Sequence, residues 1–214
     1  MRKSRAIPFI SKTKFVIIVD GDCEYWYFKM LKRNEKTLAA DLKPEIPQKK
    51  KLKKQFEKVI EESNHYDKVF WIVDYDVIHN ESRASKNGAE TPKQAFKKYV
   101  SQLAKKYKNV VIIINNPCLE FWILLHFETT GKYFDNCEDA TKQLKKHLPD
   151  YEKTSKYYTK QDNDIYLRLK PKLNDAIANA NKLKMFDLDN PDTAITQMHL
   201  LFETEELKPI IDSR

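Results

Sequence analysis

Three short apolar runs without interruption constrain this chain more than any other feature: Phe15-Val-Ile-Ile-Val19, Val69-Phe-Trp-Ile-Val73 and Val110-Val-Ile-Ile-Ile114. A strand with one wet face alternates apolar with polar residues. A run with no alternation belongs to a strand covered on both faces, as in a parallel sheet. Parallel neighbours need a crossover connection, usually a helix. The stretches between the runs have that character. Cys23 to Glu35 carries Tyr27, Met30 and Leu31 at helical spacing, and Leu52 to Ser63 carries Phe56, Val59 and Ile60. Pro92 to Lys106 opens with Thr91 as N-cap and Pro92 at the first helical position. Leu42 to Pro47, interrupted by Pro44, reads as an edge strand. The expected fold class is α/β, a compact parallel sheet with helices on both faces plus a C-terminal helical part.

Beyond about residue 130 no strong strand is expected. Glu138 to Leu148, Asp164 to Met185 and Asp192 to Phe202 read as helices, the last with Ile195, Met198 and Leu201 inward. The division expected is an α/β core over residues 1–130 and a helical extension over 131–214 packed on it. No internal repeat is visible, and the only biased segment is Lys49-Lys-Lys-Leu-Lys-Lys54.

Composition excludes several chemistries. The chain has only three glycines, Gly21, Gly88 and Gly131, so neither a dinucleotide-binding G-x-G-x-x-G nor a phosphate-binding G-x-x-x-x-G-K loop can be assembled. The three cysteines, Cys23, Cys118 and Cys137, have no C-x-x-C spacing and an odd one is left over, which argues for a reducing compartment and against zinc. No apolar run reaches the roughly 18 residues of a membrane span. The basic start is followed only by Ala6 to Ile10, too short for a signal-peptide core. The expectation is a cytoplasmic protein without a membrane partner. A net charge of +8 allows nucleic acid or another anionic surface as partner without choosing between them.

Parallel sheets carry their functional groups at the carboxyl ends of the strands. Here those ends are Val19-Asp20-Gly21-Asp22-Cys23-Glu24, Val73-Asp74-Tyr75-Asp76 and Ile114-Asn115-Asn116-Pro117-Cys118-Leu119-Glu120. Gly21 sits where a sharp strand-to-helix turn is expected. Glu24 follows Asp20 by about one helical turn, so both can face one crevice. Asp74 and Asp76, two apart, project to the same side while the strand persists. Clustered carboxylates repel unless a cation lies between them, and an all-oxygen set suits Mg²⁺ or Mn²⁺. In a basic protein such a site fits metal-assisted attack on a phosphodiester.

Simpler readings compete with this one. A lone D-x-D more often closes a turn or caps a helix, Asp20 and Asp22 have a helix start to cap, and Asn116 is a good N-cap for the stretch containing Glu120. His126, one turn from Trp122, reads as a core histidine. The lysines Lys49, Lys50, Lys51, Lys53 and Lys54 read either as a solvated helix start or as phosphate contacts. Tyr157 and Tyr158, between Lys156 and Lys160, read either as base-stacking rings or as a loop edge on the core. An EF-hand fails on spacing, since a loop starting at Asp74 puts His79 where glycine is required.

The runs Asp20-Gly-Asp-Cys-Glu24-Tyr-Trp-Tyr-Phe28, Trp71-Ile-Val-Asp74-Tyr-Asp76 and Asn116-Pro-Cys-Leu-Glu120-Phe-Trp122-Ile-Leu-Leu-His126-Phe resemble the RloB-like family, with Asn190-Pro-Asp-Thr193 matching its closing motif. The resemblance spans roughly residues 14–202. It implies a Toprim-like fold with an acidic metal site, similar to the nuclease part of overcoming-lysogenisation-defect proteins. It also implies an association with prokaryotic anti-phage systems and a partner ATPase encoded nearby. In Toprim nucleases the first strand ends in Glu-Gly with a further Glu shortly after, and the third ends in Asp-x-Asp. Those positions fall on Asp20, Glu24, Asp74 and Asp76, with Asp20 standing where Glu is usual; Glu120 also matches a family position. The function implied is a nuclease acting with Mg²⁺ or Mn²⁺ on RNA, tRNA included, or on DNA. Its catalytic residues would be Asp20, Glu24, Asp74, Asp76 and Glu120. The first four would hold the metal, and Lys49 to Lys54, Lys156 and Lys160 would hold the backbone. Two other readings remain: an inactive Toprim-like module that binds nucleic acid or the ATPase, and a haloacid-dehalogenase-like phosphatase using Asp74 and Asp76. The sequence assigns no oligomeric state.

Overall fold

The computed structural model describes residues 12–47, 51–85 and 88–212. The chain runs β1 (Thr13–Ile18), α1 (Asp22–Asn34), β2 (Ala40–Glu45), α2 (Leu52–Glu62), β3 (Lys68–Asp74), α3 (Tyr75–Arg83), α4 (Pro92–Lys106), β4 (Val110–Asn116) and α5 (Leu119–Leu124). It continues with α6 (Cys137–Leu144), α7 (Ser155–Tyr158), α8 (Ile165–Leu169), a 3₁₀ turn, α9 (Leu173–Asn181), β5 (Ile195–Thr196), α10 (His199–Phe202) and α11 (Lys208–Asp212). The sheet order is β2-β1-β3-β4-β5, with the first four strands parallel and β5 antiparallel to β4. This is the α/β sheet flanked by helices that the resemblance implies, and Pro44 sits on its outer strand.

Each central strand feeds two apolar layers, which is why its sequence does not alternate. Phe15, Ile17, Phe70, Ile72 and Ile113 pack on one face against α1, α5 and the helices after residue 137. Val16, Ile18, Val69, Trp71 and Val73 pack on the other against Phe56 and Val59 of α2 and Phe96 and Leu103 of α4. Burial of Trp71 leaves an indole N–H to satisfy, and it donates to Gln55 Oε1 at 2.8 Å. Thr91 and Gln94 form the capping box that starts α4.

The C-terminal part departs from expectation in two places. The long helix expected over Asp164 to Met185 is broken by the 3₁₀ turn Lys170–Lys172, because Pro171 cannot donate a helical N–H. The helix expected over Asp192 to Phe202 is instead β5 followed by α10. β5 exists because the outer edge of β4 needs partners: Asn115 pairs with Thr196 and Asn116 with Ile195. Ile195, Met198 and Leu201 are buried all the same. Asn116 does not cap α5, whose N-cap is Cys118. Its side chain donates to the carbonyls of Pro191 at 2.6 Å and Thr193 at 2.8 Å, pinning the approach to β5.

Asn116→Ala is expected to leave both carbonyls without that donor and to lower unfolding stability by about 1–3 kcal/mol. Thermal or urea denaturation measures it, and a loss below about 0.5 kcal/mol would show that the pin carries no weight.

Candidate metal centre

Asp20 follows β1, Glu24 lies in the first turn of α1, and Asp74 is the last residue of β3. β1 and β3 are parallel neighbours, so their carboxyl ends lie side by side. One oxygen from each of these three carboxylates lies within 4.8 Å of the other two. Neither Asp20 nor Asp22 caps α1: the N-cap is Gly21, with no side-chain capping bond. Gly21 has φ −124° and ψ 159°, extended backbone open to any residue, so the expected demand for a sharp turn is absent. What Gly21 provides is room. A Cβ there would overlap Glu24 Oε2.

Asp74 is held by its neighbours. Its Oδ1 accepts from Asn115 Nδ2 at 3.2 Å, and Asn115 Oδ1 in turn accepts from the Thr196 hydroxyl at 2.7 Å. Its Oδ2 faces the Leu119 amide at 3.4 Å. The expectation that Asp76 shares a strand face with Asp74 fails. β3 ends at Asp74 and Asp76 lies in the first turn of α3, where a two-residue repeat no longer applies. Asp76 Oδ2 instead accepts from the Cys137 amide at 3.3 Å.

Glu120 occupies a buried compartment beside this group. Its Oε1 accepts from Tyr151 Oη at 2.6 Å and pairs with Lys153 Nζ at 2.8 Å. Its Oε2 lies 2.9 Å from Cys118 Sγ and 2.8 Å from Cys137 Sγ. Those cysteines form a disulfide, against the expectation of three reduced thiols; Cys23 stays unpaired. The bridge is invisible in sequence because it joins the N-cap of α5 to the first residue of α6, 19 positions later.

The charges oppose one another. Burial, then the Asp20 and Glu120 carboxylates, push Glu24 from 4.5 up to about 8, despite its place in the first turn of a helix. Burial, followed by Glu24, Asp20, Glu120 and Asp76, raises Asp74 well above the usual carboxylate range. Burial raises Asp76 too, partly offset by the Cys137 amide. Lys153 counters this charge. Burial works against its ammonium form, but Glu120, with smaller help from Cys23 and Asp74, turns the net shift upward. Its charge also eases ionisation of Glu24 and Asp76. An all-oxygen cluster whose members resist joint ionisation fits Mg²⁺ or Mn²⁺, with Asp20, Glu24 and Asp74 as the nearest donors.

Other expected residues fall elsewhere. Lys51 is the N-cap of α2, and Lys53 and Lys54 are exposed in its first turn, Lys54 pairing with Glu57 at 2.6 Å; Lys49 and Lys50 lie outside the described residues. Lys156 and Lys160 are exposed on and just after α7. Tyr158 is buried and shares a 2.5 Å hydrogen bond with Tyr151, and Tyr157 lies under the Arg168 guanidinium at 4.8 Å. These rings serve the core edge rather than a base-stacking platform. His126 is the core histidine its spacing suggests: Nδ1 donates to the Trp122 carbonyl at 3.0 Å, and burial lowers it to about 4. Lys153, Tyr151, Asn115 and Thr196 were not singled out in sequence. The one available signal was that Asn115 directly follows the apolar run Val110 to Ile114.

The family model of RloB-like proteins matches residues 15–204. The chain belongs to the RloB-like family. No curated protein and no solved structure matches it. Among the described residues no helix is long and apolar enough to cross a membrane.

Two outcomes follow from this geometry. Gly21→Ala displaces only the tip of the Glu24 side chain, so the protein is expected to fold while Mn²⁺ affinity falls about 10-fold or more; titration calorimetry reads it, and unchanged affinity would remove Glu24 from the ligand set. The second concerns pH. Glu24 keeps its proton up to about pH 8 in the native protein but loses it near 4.5 when unfolded. The native state therefore binds more protons in that window, and metal-free stability falls as pH rises through it, by an amount on the order of a few kcal/mol. Saturating Mn²⁺, which needs the ionised form, is expected to oppose the fall. A metal-free melting temperature that rises between pH 5 and 8 contradicts this account.

Proposed function

We propose that this RloB-like protein is a divalent-metal-dependent nuclease that hydrolyses phosphodiester bonds in RNA, tRNA included, or in DNA. On this reading it is the effector of a prokaryotic anti-phage system acting with an ATPase encoded nearby. The observation that carries the proposal is the convergence of Asp20, Glu24 and Asp74 at the ends of two parallel strands. Such a cluster in a chain of net charge +8 suits a polyanionic substrate.

When bound, Mg²⁺ or Mn²⁺ supplies Lewis-acid activation of water and neutralises charge developing on phosphate oxygens. Asp20, Glu24 and Asp74 would hold it. Asn115 and Thr196 hold Asp74 in place through the 3.2 and 2.7 Å hydrogen bonds. Asp76, fixed by the Cys137 amide, stands ready as a further oxygen donor. Glu120 positions Lys153 at the edge of the acidic group, where its ammonium can meet a phosphate. Lys51, Lys53, Lys54, Lys156 and Lys160 would contact the backbone away from the cut. Their contribution would weaken as salt is raised.

Asp20 is one methylene shorter than the Glu usual at its position, which is what speaks for an inactive module. Its carboxylate nevertheless comes within 4.8 Å of Glu24 and Asp74, which favours the active reading. Asp74 at the end of an inner strand, with β1 preceding it in the chain, gives the phosphatase reading no support.

Incubating the protein with Mn²⁺ and with tRNA, single-stranded RNA, single-stranded DNA and duplex DNA is expected to yield cleavage that a chelator abolishes. Asp74→Asn keeps the oxygen that accepts from Asn115 but removes the charge, so cleavage is expected to drop about 100-fold or more. Undiminished cleavage in that variant would overturn the proposed chemistry. Salt-dependent binding without turnover on any substrate would favour the inactive module.

A further inference from the structure

The disulfide Cys118–Cys137 sits beside the acidic centre, around Glu120, and joins two segments that each present a backbone amide to an aspartate of the site. The residue after Cys118, Leu119, points its N–H at Asp74 Oδ2, and the N–H of Cys137 itself donates to Asp76 Oδ2. With the bridge closed, the starts of α5 and α6 are tied with their Cα atoms 5.6 Å apart, and both amides are held toward the carboxylates.

The surroundings suit the open pair as well. Glu120 Oε2 lies within 2.9 Å of both sulfurs. Bridged sulfurs have no proton to share, but two thiols would each have one to donate to that oxygen. Lys153 Nζ, 3.0 Å from Cys137 Sγ, places positive charge beside a sulfur that becomes a thiolate during exchange. Access is one-sided. Cys118 is 1% exposed, whereas Cys137 is only half-buried, so an external thiol meets Cys137 first.

We infer that Cys118–Cys137 is a reversible thiol–disulfide site that sets the geometry of the acidic centre: closed, it holds both aspartates to their amides; open, it releases α6 and weakens divalent-cation binding. The cation half of this statement rests on the metal reading above, and the bond and amide half does not. A small dithiol opens the bridge. Its first thiolate attacks Cys137 Sγ, the S–S bond breaks, and Cys118 departs as a thiolate and takes a proton. The second thiolate of the reagent then displaces Cys137, which is protonated in turn, and the reagent leaves as a cyclic disulfide. Two electrons pass to the protein. A low-molecular-weight disulfide reverses the exchange, closing the bridge and leaving as two thiols.

The test uses the full chain equilibrated in glutathione buffers of graded potential, or treated with dithiothreitol. Alkylation under denaturing conditions, read by mass spectrometry, is expected to label one of the three cysteines in the oxidised form and all three in the reduced form. Hydrogen exchange at the Leu119 and Cys137 amides is expected to quicken about 10-fold or more on reduction. Mn²⁺ affinity, followed by electron paramagnetic resonance, is expected to fall about 10-fold. In amide exchange and Mn²⁺ affinity Cys137→Ser is expected to match the reduced form with or without dithiothreitol, and wild-type protein with and without dithiothreitol decides the matter should that variant not fold. Three labelled cysteines after oxidation would overturn the inference, as would amide exchange that is the same in both states. Mn²⁺ binding to neither form, with the amides still responding, would uphold the thiol site and sink the metal reading instead.

Discussion

Repulsion among carboxylates is the constraint around which the carboxyl edge of this sheet is organised. Asp20, Glu24 and Asp74 are pressed together by the parallel pairing of β1 with β3 and by the immediate start of α1. Without a cation Glu24 and Asp74 tend to hold protons, driven first by burial and then by the neighbouring carboxylates. Such an arrangement costs stability unless a cation enters it, which is how binding sites differ from optimised cores. The surrounding hydrogen bonds and Lys153 relieve the repulsion only in part. They keep the carboxylates where the repulsion persists.

The segment after residue 130 is built into that arrangement. β5 completes the sheet edge and brings Thr196 to Asn115, which fixes Asp74. The chain entering β5 is pinned by Asn116. Tyr151 and Lys153, between α6 and α7, grip Glu120. The Asn190-Pro-Asp-Thr193 motif thereby acquires a physical role: Pro191 and Thr193 supply the carbonyls that receive the Asn116 amide.

The elements legible in sequence were those whose pattern is local. Continuous apolar runs announced β1, β3 and β4, and Thr91-Pro92 announced α4, because two-sided burial and capping each act within a few residues. The acidic strand ends were legible for the same reason. The place of Asp76 was not legible, because β3 ends at Asp74 and the period of two, which holds only while the strand persists, does not reach into α3. Gly21 was noticed for the wrong reason, since its importance lies in the space that Glu24 occupies and not in its own dihedral angles.

By itself the sequence determined the parallel α/β architecture, the placing of acidic residues at strand ends and the family, since each is written in residue types at short spacing. Only the tertiary structure decided that Glu120 stands apart from the three clustered acids, that Lys153 faces it, that Thr196 reaches Asp74 through Asn115 and that Cys118 meets Cys137. These contacts join positions tens of residues apart, brought together by sheet order and helix packing, and no local periodicity encodes a distance of that kind.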